Sequence, residues 1–378
     1  MKSALFRLIY WLTRLLRPRI RQGSPETYLI LQYQMPLGCC VHGTPLYAAL
    51  KASHPDSTVI VATRGLGAAV IQHDPNVDHL ILTDDPNPSF GDKWKVAKEL
   101  RSKLSQSHLR PTLVLQDASS KAGSFALLPT MLRLAPTKGF ANAPELYDTH
   151  LAYDPSQSLI DNNLRLTDSQ HREPAVYFTS TELAAARTLL AEANPRSQPL
   201  TAFVMQGSGG QRTGWHDDRM AAVISHVESQ DHATVFLGTV ADTAVIDRIR
   251  GLAGSNGMSL AGRTTVPELA AVLALCDCAV TLDTGTMHVG RAVDAPMVIL
   301  GPSWQRPLEW LPLTKPNVRI LRGPDINIPL DQVPMDYRLD EIEVPAVLAA
   351  FNDLQTAYPP SAESRETRVA NRLSSTRA

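Results

Sequence analysis

Cysteine is scarce, with four in 378 residues. That is too few for a disulfide framework and points to a reducing, cytoplasmic setting. Neither charge sign dominates. Thirty-six Lys and Arg against 37 Asp and Glu leave a net charge of −1, which excludes a polyelectrolyte chain and predicts no nucleic-acid partner. Glycine and proline, at 21 and 28, fall well short of a collagen-like or low-complexity composition. No apolar run is long enough to span a bilayer; the best, near the amino terminus, is broken by Arg7 and Arg14. No small-residue cleavage site follows it, so a signal peptide is not expected. The remainder is ordinary globular composition, 44% hydrophobic and 19% charged, with length for two domains at roughly 150 residues each.

The near-neutral total hides an asymmetry. Residues 1–22 carry Lys2, Arg7, Arg14, Arg17, Arg19 and Arg21 and no acid, interleaved with Leu5, Phe6, Leu8, Ile9, Tyr10, Trp11, Leu12, Leu15 and Leu16. At about 100° per residue, Arg7, Arg14, Arg17 and Arg21 fall within about 80° of one another. The pattern predicts a basic amphipathic helix over 1–24 lying on an anionic membrane surface; the alternative is a helix docked on the protein's own core.

From residue 25 onward, short apolar strands alternate with helical stretches. Strand-like runs lie at 28–31, 58–62, 77–82 and 111–115, with helical patterns at 44–52 and 94–104. Residues 150–174 are polar and weakly patterned and predict a linker. The alternation then resumes, with strands at 200–205, 233–237, 259–260, 278–282 and 297–300 and helices at 217–229, 242–252, 266–275 and 287–293. Continuous apolar strands alternating with helices predict parallel sheets covered on both faces. The expected organisation is an α/β amino-terminal domain over 25–160, an α/β carboxyl-terminal domain over 172–335, a helix within 336–358 and a disordered tail over 359–378. Two such domains are expected to face a central cleft at the carboxyl ends of their strands.

Three strand-to-helix turns carry the candidate chemistry. In Cys278-Ala279-Val280-Thr281-Leu282-Asp283-Thr284-Gly285-Thr286-Met287-His288 an apolar strand runs into a helix whose first N–H groups and dipole favour an anion such as a pyrophosphate. Gly285 admits a close backbone approach, and Asp283, Thr284 and His288 share that end; the alternative is that Thr284 caps the helix and His288 packs. In Gln206-Gly207-Ser208-Gly209-Gly210-Gln211-Arg212, a glycine-rich loop after a strand could cradle phosphates with Gly207 and Arg212, or be a plain turn. In Gly38-Cys39-Cys40-Val41-His42-Gly43-Thr44-Pro45, Cys39 or His42 could serve as nucleophile or base, or be a small buried group. Cys276-x-Cys278 lacks a second ligand pair, so a zinc site is not expected. On the acceptor side, Arg64 and Lys121 each follow a strand and could meet an anionic group, or be solvated surface charges.

The run Leu260-Ala261-Gly262-Arg263-Thr264-Thr265, then Glu268-Leu269, then Asp283 to His288, then Gly301-Pro302, resembles the signature of glycosyltransferase family 9, which contains the lipopolysaccharide heptosyltransferases. Tyr28 through Gly38, Thr44-Pro45-Leu46, Pro75-Asn76-Val77-Asp78 and the segment 311–323 fit in order. The resemblance implies a GT-B fold of two Rossmann-like domains and an inverting transfer of a sugar, heptose from ADP-heptose, onto a lipopolysaccharide-core glycolipid at the inner face of the cytoplasmic membrane. It implies no metal and no cofactor beyond the nucleotide-sugar substrate. It places Asp283, Thr284 and Gly285 on the donor pyrophosphate, His288 by the donor sugar, Asp242 on the ribose and Arg212 near a phosphate. One departure stands out. The family's first loop carries Gly-Asp, the Asp being the proposed base, whereas this chain has Gly38-Cys39. A thiol with a pKa of about 8.5 replaces a carboxylate poorly, and His42, one turn on, is the substitute. Two further readings follow: a transferase or epimerase using another nucleotide sugar, or a non-catalytic nucleotide-sugar-binding scaffold.

Overall fold

A computed structural model describes residues 2–16, 26–34, 36–206, 212–326 and 328–375. It divides into two compact units, Met1–Pro174 and Ala175–Ala378.

The first unit contains α1 (Lys2–Leu15), β1 (Thr27–Leu31), α2 (Leu37–Ser53), β2 (Thr58–Thr63), α3 (Gly65–Ile71), β3 (His79–Leu82), α4 (Phe90–Gln106), β4 (Leu113–Gln116), α5 (Leu127–Leu132), β5 (Thr137–Gly139), β6 (Thr149–His150) and α6 (Leu159–Leu164). Its six strands are parallel in the order β3-β2-β1-β4-β5-β6. Every β1 residue is buried, as the unbroken apolar run requires for a strand covered on both faces. Chain order reverses between β1 and β4, with Leu31 in register with Gln116. Such a reversal opens the crevice where ligands bind in parallel α/β sheets.

Two expectations need correction here. The loop expected at 37–43 is the start of α2, because Pro45 lies inside the helix rather than at its beginning. A proline in a helix leaves the carbonyl four residues back without its N–H donor. The Thr44 hydroxyl donates to that carbonyl, Val41 O, at 2.9 Å, so the helix runs through. The expected linker is also part of the fold. Within it α6, capped by Ser158, which accepts from Asp161 N at 3.0 Å, packs Ile160 and Leu164 against Ala49 of α2.

The second unit contains α7 (Ser180–Ala193), β7 (Leu200–Val204), α8 (Asp217–Ser229), β8 (Ala233–Leu237), α9 (Thr243–Ala253), β9 (Met258–Ser259), α10 (Val266–Leu275), β10 (Cys278–Leu282), α11 (Gly285–Ala292), β11 (Met297–Leu300), α12 (Pro307–Trp310), β12 (Val318–Leu321), α13 (Val344–Ala357) and α14 (Ala362–Ala370). Its sheet is again parallel, in the order β12-β11-β10-β7-β8-β9. Phe203, Phe236, Val280 and Phe351 lie in its core.

The segment expected to be a disordered tail instead holds α14. Its arginines are tied to the rest of the unit by hydrogen bonds. Arg365 Nη1 donates to both Asp277 carboxylate oxygens at 2.7 and 2.8 Å. The buried Arg368 donates to Ala274 O at 3.0 Å, Cys276 O at 2.5 Å and Ser364 Oγ at 2.8 Å, and Arg372 donates to Ala292 O at 2.6 Å. The carbonyls at the ends of α10 and α11, which lack partners within their own helices, are thus satisfied from α14 and from Arg372 just beyond it. Arg368→Ala removes a charged donor from buried carbonyls and is expected to destabilise the protein by about 3 kcal/mol, read as a lower midpoint in urea-induced unfolding.

Candidate functional site

In the second unit, β10 ends at Leu282 and the chain turns through Asp283 and Thr284 into α11. Thr284 occupies the N-cap position with extended backbone but makes no capping hydrogen bond. Its Oγ1 is buried and has no hydrogen-bond partner among the described residues. A buried hydroxyl left unused beside the first N–H groups of a helix is a place prepared for an outside polar group, and the helix dipole selects an anion.

Asp283 and His288 are both buried, with Oδ1 and Nε2 3.8 Å apart. Burial raises the Asp283 carboxyl to about 7, with Arg322 pulling the other way. Burial, reinforced by Arg291, lowers the His288 imidazole to about 3. The pair is therefore no salt bridge at neutral pH. His288 is an uncharged ring, 6.0 Å between centroids from Trp310, and burial brings the protonated form of Asp283 within reach near neutral pH. A protonated carboxyl can donate to a phosphate oxygen where a carboxylate would repel it.

Because the strands are parallel, the loops after β7, β8, β10, β11 and β12 share the carboxyl edge of this sheet. Asp242, after β8, closes a capping box: its Oδ2 accepts from Thr239 N at 2.6 Å and from Thr239 Oγ1 at 2.8 Å. Arg212, after β7, turns its guanidinium to the 330–335 segment, donating to Leu330 O and to Met335 Sδ. Its own carbonyl accepts from Trp304 Nε1 at 3.2 Å. Gly207 lies outside the described residues. Gly262 holds φ at +68°, and a Cβ there would meet Val240 Cγ2 at 2.3 Å, so that turn after β9 requires glycine. Arg322, directly after β12, went unnoticed in the sequence. It donates to Pro302 O at 3.0 Å and Gln305 O at 2.9 Å, fixing the loop after β11. Cys276 and Cys278 are buried free thiols.

In the first unit, the start of α2, Arg64 and Lys121 follow β1, β2 and β4, which are neighbours in the sheet. Cys39 is buried in the first turn of α2. His42 is fully buried in the next turn, and its carbonyl accepts from Asn163 Nδ2 at 3.0 Å. The substitute base expected in an open loop therefore sits inside the unit, because α2 begins seven residues earlier than the sequence suggested. Arg64 pairs with Asp85 at 2.7 Å. Lys121 Nζ stands 3.7 Å from the centre of the Tyr153 ring. The same sheet edge holds a residue that the sequence reading missed. Asp117, immediately after β4, is buried and accepts from Ser119 Oγ at 2.7 Å. A lone Asp after an apolar strand has no partner at a telling spacing, so nothing in the sequence marks it.

The profile of glycosyltransferase family 9 (heptosyltransferase) matches residues 97–326, well over half of the chain. The chain belongs to glycosyltransferase family 9. Among curated relatives, lipopolysaccharide heptosyltransferase 3 of Escherichia coli strain K12 is 22% identical over 337 residues, covering 85% of this chain and 96% of the relative. Among solved structures, a family 9 glycosyltransferase from Veillonella parvula superposes with a TM-score of 0.79 at 18% identity, covering 90% of this chain and all of the other. The E. coli ADP-heptose lipopolysaccharide heptosyltransferase II superposes with a TM-score of 0.70 at 18% identity, covering 88% and 99%. The family 9 chain has the GT-B fold of these heptosyltransferases and is a glycosyltransferase.

Proposed function

We propose that the family 9 chain transfers heptose from ADP-heptose onto a lipopolysaccharide-core glycolipid with inversion at the anomeric carbon. The observation that carries the reading is the turn from β10 into α11, where the unused Thr284 hydroxyl, Asp283 with its raised pKa and the first N–H groups of the helix come together. An acceptor hydroxyl attacks the anomeric carbon and gives up its proton. The bond to the diphosphate breaks, and the leaving charge is stabilised by the N–H groups of α11, Thr284 and the protonated Asp283. His288, uncharged and close to Trp310, fits the place of a sugar contact. Asp242 and Arg212 remain the candidates for ribose and phosphate, and each would exchange an internal hydrogen bond for the donor. Arg64 and Lys121 are the cations at the edge of the acceptor unit. A related enzyme named for ADP-heptose supports the choice of donor.

The acceptor is a lipid, and α1 suits a protein that works at its surface. The helix is held to its own unit by Tyr10, whose hydroxyl donates to Asp148 Oδ1 at 2.7 Å, and by the buried Thr13. Leu8, Trp11, Leu12, Leu15 and Leu16 point the other way and are all more than half exposed. We place this face on an anionic bilayer at the inner side of the cytoplasmic membrane. Among the described residues no helix is long and apolar enough to cross a membrane.

Titration calorimetry with ADP, UDP and GDP tests the reading. Selective ADP binding is expected, weakened at least tenfold in Asp283→Ala. Preference for UDP or GDP would discard heptose while keeping a nucleotide-sugar transferase or epimerase. Binding of none of them would leave a non-catalytic scaffold.

A further inference from the structure

The proposed transfer needs a base, and the position where family 9 carries its aspartate holds Cys39. Asp117 follows β4, the strand paired with the one that leads into that position. Leu31 of β1 is in register with Gln116 of β4, so the next residues along each strand, Gln32 and Asp117, emerge together. Gln32 Nε2 donates to Cys40 O at 3.2 Å, which ties this strand end to the first turns of α2. The missing carboxylate and the one present therefore flank the same strand end, at the point where the chain order of the sheet reverses.

The hydrogen bonding of Asp117 is lopsided. Oδ1 accepts from the Ser119 hydroxyl at 2.7 Å, whereas Oδ2 is buried and has no hydrogen-bond partner among the described residues. Asp117 is 2% exposed, but Ser119 is partly exposed, so a hydroxyl arriving from outside meets the serine first. The titratable groups coupled electrostatically to the carboxylate include the Cys40 thiol and the Tyr47 and Tyr147 phenols, none of them charged at neutral pH, and the Ser119 and Ser120 groups stabilise its charged form. Arg64 is paired with Asp85, and Lys121 lies over Tyr153.

Building on the transferase reading, we propose that Ser119 and Asp117 form the proton relay of this enzyme, taking over the task of the carboxylate absent at Cys39. As the acceptor oxygen bonds to the anomeric carbon, its proton passes to Ser119 Oγ and the proton of Ser119 passes to Asp117 Oδ1. The bond from the anomeric carbon to the diphosphate breaks, and its electron pair leaves on ADP. Asp117 then returns its proton to water by the same path. Burial, opposed by the Ser119 and Ser120 groups, raises the Asp117 carboxyl to about 6, near the working pH of a general base.

An asparagine at 117 keeps a side-chain acceptor for the turn but cannot take up a proton, so Asp117→Asn separates structure from catalysis. With ADP-heptose and a core glycolipid, it is expected to lower kcat by about 10²- to 10⁴-fold and to leave ADP affinity within about twofold, the latter measured by calorimetry as a check on folding. Ser119→Ala should lower kcat at least tenfold. Wild-type kcat/KM should fall as pH drops through about 6, and any residual rate of D117N should lack that limb. Adding Cys39→Asp to D117N should restore at least tenfold, because it returns a carboxylate to the start of α2. A D117N rate within threefold of wild type overturns the relay while the transferase reading stands. Should D117N fail to fold, an unchanged rate in Ser119→Ala overturns it. A wild type that binds ADP and transfers nothing overturns the transferase reading and the relay with it.

Discussion

ADP binding is expected to weaken as pH rises from 6 to 8, and Asp283→Asn is expected to abolish the part of that dependence that belongs to the protein. The sign follows from the site. Burial holds the Asp283 carboxyl at about 7, above the ordinary carboxylate range. A bound diphosphate adds negative charge next to it, so the protonated form binds better and binding raises its pKa further. Affinity is therefore full below pH 7 and is lost as pH rises through it, by at most about tenfold per pH unit. Asparagine stays neutral and still donates, so D283N should bind ADP at pH 8 about as tightly as wild type does at pH 6. Titrating D283N in parallel also removes the contribution of the nucleotide's own terminal phosphate. Affinity that rises with pH in the wild type would mean that Asp283 accepts a hydroxyl as a carboxylate, and would move the phosphates elsewhere.

Removal of residues 1–22 is expected to lower binding to anionic vesicles by about 100-fold or more. Each exposed large apolar side chain that enters the bilayer contributes on the order of 1–2 kcal/mol. Trp11 and Leu15 are 65% and 70% exposed, and Leu8, Leu12 and Leu16 lie beside them. Leu12→Asp with Leu15→Asp should reproduce most of the loss, because Tyr10 and Thr13, which hold α1 to its unit, are untouched. Co-sedimentation with vesicles containing anionic lipid, against purely zwitterionic ones, separates the apolar from the charged contribution. Undiminished binding by the truncated protein would remove α1 from any membrane role. The geometry refines the expectation from sequence. The sequence suggested a basic amphipathic helix, and in the structure the exposed apolar side chains lie together with the exposed Arg7 and Arg14 beside them.

The sheets were legible because their strands are buried on both faces, so Val59-Ile60-Val61-Ala62 and Cys278 to Leu282 read as unbroken apolar runs. The turn from β10 into α11 was legible because a helix start after such a strand has a sequence form. What was missed depends on partners distant in sequence. α2 was cut short because Pro45 signals a boundary, and only the Thr44 hydroxyl makes it a helix interior. α14 was lost because Arg365, Arg368 and Arg372 look solvated until the ends of α10 and α11 are placed beneath them. Asp117 and Arg322 were passed over because each is a single polar residue after a strand, and its meaning depends on which loops the sheet order brings alongside.

The two sheets share one wiring. Numbered within its own unit, each runs 3-2-1-4-5-6. The fourth strand is β4 in the first unit and β10 in the second, and the residue that follows it is Asp117 in one and Asp283 in the other, both buried and both raised toward neutrality. The chain thus holds two copies of a single socket, an acidic group at the tip of the strand where the winding changes direction. Specialisation of such a pair is a matter of loops, since the sheets that position the acids need not change. A sheet wired this way can keep one socket and vary the loops around the other without moving either acid.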